Sequence, residues 1–123
     1  MATALTSGRF NPPHDGHMAM LKRLLKKYDS VKVVILDYQK RDFPICYCRK
    51  VFEEIFEDDN RIEFLVNTTH FGEITLEEIK SFDCEIYVGG NLSVLRHIEI
   101  LGFPCDYVER AFEYSARFYK RPD

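Results

Sequence analysis

Gly8-Arg9-Phe10-Asn11-Pro12-Pro13-His14-Asp15-Gly16-His17 is the stretch on which the reading of this chain turns. A short apolar run, Ala2 to Leu5, precedes it, and an amphipathic one, Met18 to Tyr28, comes after. That order predicts a strand, a phosphate-sized loop and a helix. Two histidines three residues apart stand where the helix begins, with Gly16 between them. A helix N-terminus carries unpaired N–H groups and the positive end of the helix dipole, so it attracts phosphate. Imidazoles and an arginine added at that point suggest a nucleoside triphosphate site.

The spacing Gly8-x-Phe10-Asn11-x-x-His14-x-Gly16-His17 resembles the G-x-F-x-x-x-H-x-G-H signature of the small nucleotidylyltransferases. Its Gly-Arg-Phe version is most similar to the archaeal-type nicotinamide mononucleotide adenylyltransferases. The short length resembles instead the glycerol-3-phosphate cytidylyltransferases. The resemblance implies a Rossmann-like α/β domain with a strand order of 3-2-1-4-5. It also implies transfer of AMP or CMP from a nucleoside triphosphate to a small phosphorylated acceptor, with pyrophosphate leaving. In that chemistry His14, His17 and Arg9 are the catalytic candidates, and Gly8, Phe10, Asn11 and Gly16 the nucleotide-binding ones. Mg²⁺ would accompany the triphosphate, held mostly by nucleotide and water. No all-protein carboxylate cage is evident, and the acidic run Glu53, Glu54, Glu57, Asp58, Asp59 reads as a solvated helix face.

Composition narrows the classes. Hydrophobic residues at 46% and charged ones at 30% make an ordinary globular balance, and 123 residues fit one domain, 1–123. A net charge of −3 argues against a general polyanion binder, so attraction for phosphate must be local and nucleic acid is not expected. No apolar run approaches the roughly 20 residues that span a bilayer. The N-terminus lacks the basic region and long apolar core of a signal peptide. A cytoplasmic protein without membrane contact is the expectation. Cys46-x-Cys48 lacks zinc or redox spacing, and Cys84 and Cys105 belong to apolar runs, so packed or free thiols are expected.

Apolar and amphipathic segments alternate along the chain. Strands are predicted at Ala2–Ser7, Val31–Asp37, Arg61–Val66, Glu85–Val88 and Pro104–Val108. Helices are predicted at Gly16–Tyr28, about Cys46–Glu57, Leu76–Ser81, Leu92–Leu101 and, in the tail, Phe112–Lys120. In the second helix Cys48, Val51, Phe52, Ile55 and Phe56 share the inward face. Lys22, Arg23, Lys26 and Lys27 lie off the apolar face of the first helix and read as solvated. The alternation predicts a five-stranded, mostly parallel sheet flanked by helices. Ligands then bind at the carboxyl ends of strands, near the switch in strand order.

That frame locates other pieces of a site. Gly89-Gly90-Asn91 leaves the fourth strand, where paired glycines allow positive φ and close approach of a base or ribose. Its plainer reading is a tight turn with Asn91 as N-cap; nucleotide contact is compatible with either. Tyr114 to Arg121 stands where the family has a second phosphate motif, and Ser115, Arg117 and Lys120 are its nucleotide-binding candidates. Lys40 and Arg41, after the second strand, and Arg49, in the following helix, are acceptor-binding candidates by the same resemblance. Gly-Arg-Phe and Gly-Asn favour ATP over CTP. Related enzymes are often dimers, which makes a homodimer plausible. A catalytically inactive nucleotide-binding module is the alternative, motivated by the degenerate tail motif. A nucleic-acid-associated protein using the Lys22–Lys27 cluster is a third, disfavoured by the acidic balance.

Overall fold

The β-branched run Val31, Val33, Val34, Ile35 can be buried on both faces only in the interior of a sheet covered on both sides. In the computed structural model, which describes residues 2–37, 42–68 and 74–108, it does so within strand β2 (Ser30–Asp37). The other elements are β1 (Thr3–Gly8), α1 (Asp15–Lys27), α2 (Ile45–Ile55), β3 (Ile62–Thr68), α3 (Leu76–Ser81), β4 (Ile86–Gly89), α4 (Leu92–Ile100) and β5 (Cys105–Tyr107). They form one sheet of order β3-β2-β1-β4-β5, with every described strand pair parallel. The mostly parallel expectation is thus met by an all-parallel sheet, in the order that the family resemblance implies. The predicted tail helix, Phe112–Lys120, lies outside the described residues.

Burial divides by face. Ala4, Val31, Val33 and Ile35 join Met18, Leu21, Leu24 and Leu25 of α1 and Phe52 of α2 in one core. Leu5, Val34, Leu36 and Tyr87 join Ile79 of α3 and Leu95 and Ile98 of α4 in the other. Alternate strand residues point to opposite faces, so one strand feeds both cores. Helices α1 and α2 accompany the steps outward from β1 to β3. Helices α3 and α4 accompany the return across β1 to β4 and β5, so they cover the opposite face. On α2 the inward row is Cys48, Phe52 and Phe56, all buried. Ile55, expected to face inward, is 48% exposed. The i, i+4 row fills the contact with Phe64, and Ile55, the last residue of the helix, falls to its flank.

The ends of the helices obey local chemistry. Thr75 and Glu78 cap α3 reciprocally, Glu78 N donating to Thr75 Oγ1 at 3.2 Å and Thr75 N to Glu78 Oε1 at 2.9 Å. Helix α4 stops at a Schellman turn: Gly102 sits at φ +92, its N–H reaching Glu99 O at 2.9 Å and that of Phe103 reaching Ile98 O at 3.3 Å. Cys84 and Cys105 hydrogen-bond to the carbonyls of Ile79 and Phe103. Burial pushes the Cys84 thiol up to about 11, so it stays protonated and unreactive at neutral pH.

The far end of α1 is tied to the last strand. Asp106 accepts from Lys27 Nζ at 2.5 Å and from the Tyr28 hydroxyl at 2.8 Å. The Lys27 hydrogen bond holds its carboxyl below the usual carboxylate range, against the opposing effect of burial. A carboxyl depressed in the folded state contributes stability above its unfolded value near 4 and loses it as pH falls through the folded value. Asp106→Asn should therefore lower the thermal midpoint at pH 7 and shrink the loss of stability between about pH 5 and pH 2. Thermal melts of both proteins across that range check this; parallel pH profiles would contradict it.

Candidate active site

Gly8 ends β1 and Phe10 turns the chain into the loop at φ +46, in the left-handed region that a bulky residue enters only under constraint. The constraint is packing. The Phe10 ring is 4% exposed and meets Phe52 edge-on, with ring centroids 5.0 Å apart. A Cβ on Gly8 would come within 3.1 Å of Phe10 Cζ, so the ring needs a glycine beneath it. Read from the sequence as a nucleotide contact, the Phe10 side chain instead belongs to the core. Its edge-on contact with His17, at 4.7 Å, props that imidazole from the core side.

The two histidines start α1. His14 is the N-cap, with extended backbone at φ −142, and its Nδ1 accepts from Gly16 N at 3.1 Å. His17 returns the contact, its Nδ1 accepting from His14 N at 3.2 Å. This is a capping box in which imidazoles fill the places usually held by a hydroxyl and a carboxylate. Both Nδ1 atoms are acceptors, so each neutral ring carries its proton on Nε2, on the side away from the cap. The rings stack with centroids 3.7 Å apart and planes 22° apart. The helix start therefore differs from a bare anion site. One of its backbone donors, Gly16 N–H, is committed to His14, and imidazole N–H groups replace it.

The surrounding loops meet at this edge of the sheet. Asn11 Oδ1 accepts from Phe43 N at 2.9 Å, which ties the histidine loop to the segment entering α2. Arg9 is exposed on the loop. Strand β4 lies beside β1, with Thr6 opposite Val88, so Gly89-Gly90-Asn91 leaves the same edge as Gly8 and Arg9. Asn91 caps α4, its Oδ1 accepting from Ser93 N at 3.0 Å. Neither Gly89 nor Gly90 takes positive φ; among the described glycines that conformation belongs to Gly102. The pair serves a tight extended turn. Arg49 is not drawn to the histidine loop. Its Nε pairs with Glu53 at 3.1 Å on the exposed side of α2, beside a shallow depression of about 410 Å³ that contains neither histidine. Lys40, Arg41, Ser115, Arg117 and Lys120 lie outside the described residues. The sequence reading missed one contact at this edge, between Ser7 Oγ and the Tyr87 hydroxyl at 2.6 Å. Eighty residues separate the two, and no local pattern marks them as partners.

Among the described residues no group of three or more His, Cys, Asp or Glu is arranged to hold a metal ion, and no helix is long and apolar enough to cross a membrane. A loop bearing paired histidine donors, set at the switch point of an all-parallel sheet, defines a nucleotide-handling α/β protein. The comparisons with known proteins agree. The family model described as cytidylyltransferase-like matches residues 5–96, and the chain belongs to that family of nucleotidylyltransferases. The phosphopantetheine adenylyltransferase of Mycoplasma mycoides subsp. mycoides SC is 29% identical over 98% of this chain and 100% of its own length. Similar folds occur in the NadR protein in complex with NAD and AMP-PNP (TM-score 0.71, 15% identity, 88% of this chain, 38% of that one). They occur also in the bifunctional NMN adenylyltransferase/ADP ribose pyrophosphatase of Francisella tularensis (TM-score 0.67, 12% identity, 90% and 39%). This chain therefore spans well under half the length of those two structures.

The capping role of His14 can be separated from any role of its Nε2–H. His14→Ala removes the cap and should cost about 0.5–2 kcal/mol, whereas Asn is among the best N-caps and His14→Asn should keep most of that stability. Thermal unfolding of the two variants beside the parent measures the difference. Equal losses would show that the imidazole is held by packing and not by its cap.

Proposed function

We propose that this chain transfers AMP from ATP to a small phosphorylated acceptor and releases pyrophosphate. The observation that carries the reading is the reciprocal capping of α1 by His14 and His17. It fixes two Nε2–H donors at the edge where a parallel sheet of this order binds its ligand. An acceptor phosphate is already ionised near neutral pH and needs no protein base. Its oxygen attacks the α-phosphorus in line, a new P–O bond forms, and the bond from the α-phosphorus to the bridging oxygen of the β-phosphate breaks. The barrier is mostly placement and repulsion between two anions. The histidines answer the second by donating to phosphate oxygens as charge builds. Arg9, exposed on the same loop, adds a guanidinium within the reach of a flexible side chain. Mg²⁺ bound with the triphosphate would neutralise part of its charge, while His14, His17 and Arg9 of this chain orient the phosphates.

Gly89 to Asn91 are assigned to the base and ribose side, and Lys40 and Arg41 to the acceptor phosphate. The name of the Mycoplasma relative supplies phosphopantetheine as the leading acceptor, and that of the Francisella neighbour supplies NMN as the alternative. A cytoplasmic setting, where ATP is abundant, suits the reaction.

The test is pyrophosphate release with ATP or CTP against phosphopantetheine, NMN and glycerol 3-phosphate. ATP with phosphopantetheine should give the highest rate. His17→Ala should then lower kcat by about 10²–10³, roughly 2.7–4 kcal/mol, with a much smaller change in ATP affinity, since a preorganised donor matters most as charge develops. ATP binding without release across all acceptors would replace this reading with that of an inactive nucleotide-binding module.

A further inference from the structure

The crevice between β1 and β4 opens at one residue. On its β2 side, β1 is paired as far as Gly8, opposite Ile35. On its β4 side the paired register runs from Ala4–Ile86 to Thr6–Val88. The next residue of β1 is Ser7, and there a side-chain bond replaces the ladder: Ser7 Oγ and the Tyr87 hydroxyl lie 2.6 Å apart. The Tyr87 side chain is 4% exposed and belongs to the core beneath α3 and α4. Its hydroxyl also lies 3.6 Å from where a Cβ on Gly89 would be. One phenol thus touches the last residue of β1 before Gly8 and sits under the glycine that ends β4.

We propose that the Ser7–Tyr87 hydroxyl pair is a latch that sets the separation of the two loops between which the nucleotide binds, which makes Tyr87 and Ser7 positioning residues for the reaction. This inference rests on the proposed nucleotide site. The physical need is specific. The loops that leave two parallel strands at a switch point part company because their connections run to opposite faces of the sheet, and both strands end here in glycine, Gly8 directly after Ser7 and Gly89 two residues after Tyr87. Glycine supplies no side chain to hold the spacing, so the last residue with a reachable hydroxyl on each strand must do it. A hydroxyl pair suits the place: it is uncharged, so it neither repels a triphosphate nor binds one in its stead, and either oxygen can donate. The tyrosine ring is fixed by packing, which leaves its oxygen at a defined point at little entropic cost. Gly8 carries Phe10 above it, and Phe10 carries His17, so a shift of the β1 end would pass to the histidines.

The test measures the ATP dissociation constant and the pyrophosphate-release rate of Tyr87→Phe, Ser7→Ala, the double variant and Ser7→Thr, with thermal midpoints beside them. Loss of one such hydrogen bond should weaken ATP binding by up to about tenfold. Because both single variants remove the same bond, the double variant should be no weaker than either, while Ser7→Thr, which keeps the hydroxyl, should bind ATP nearly as the parent does. Unchanged ATP affinity in Tyr87→Phe, additive losses in the double variant, or losses that simply track the fall in thermal midpoint would overturn the latch. A parent that binds ATP but releases no pyrophosphate would defeat the proposed reaction while leaving the latch measurable through binding. A parent that binds no ATP would defeat both.

Discussion

The seating of one phenylalanine governs the geometry of the histidine site. Phe10 sits in a backbone region that costs of the order of 1–3 kcal/mol, and burial of its ring offsets that by about 1.5–3 kcal/mol. Two edge-on contacts, with Phe52 and His17, each add about 0.5–1.5 kcal/mol, so the balance favours the strained turn. From Phe10 the rings continue in both directions: inward through Phe52, stacked on Phe64 at 4.9 Å, and outward through His17 to His14. A line of aromatic contacts thus joins the hydrophobic core to the two imidazoles. The histidines are held by the fold from behind and by the helix backbone from below, which leaves little of their position to a ligand.

That rigidity suits a chain whose overall charge is unfavourable for its substrate. At a net −3 the protein does not draw phosphates by its general field. Lys22, Arg23 and Lys26 are exposed on the outer side of α1, and Lys27 is engaged by Asp106 at the end of α1 away from the histidines. On the function proposed above, selection of a triphosphate depends on a few preorganised donors at one edge of the sheet. Oriented N–H groups are worth most in such a setting, because they need no rearrangement when charge moves.

Much of this is legible in the sequence because it is local. The alternation of apolar and amphipathic segments places all nine described elements within two residues of their ends. The turn chemistry of Gly102 and Asn91 reads correctly for the same reason. The misreadings depend on partners distant along the chain. Phe10 stands in a motif read as ligand-binding, and its contact with Phe52, forty-two positions on, shows that its side chain faces the core. Ile55 has the right phase for burial, but phase does not reveal how wide a face the neighbouring strand can cover. Gly89 and Gly90 permit positive φ without requiring it. The Ser7–Tyr87 pair has no signature at all, since a serine and a tyrosine in two apolar strands are ordinary residues until the sheet order makes them neighbours.

The segregation of helices by half has a consequence for how the chain is made. Synthesis delivers β1, α1, β2, α2 and β3 first, and those elements can cover only one side of the growing sheet. Until α3 and α4 emerge, Leu5, Val34 and Leu36 face water on the other side, and the β1 edge that β4 will occupy stands open. Partly built sheets with a bare apolar side and an unpaired edge are the species that associate with one another. Docking of β4 beside β1 closes that edge, and α4, which follows β4, completes the cover. The docking of β4 also sets the loop after β1 and the loop after β4 side by side, so one step both closes the edge and juxtaposes the two loops.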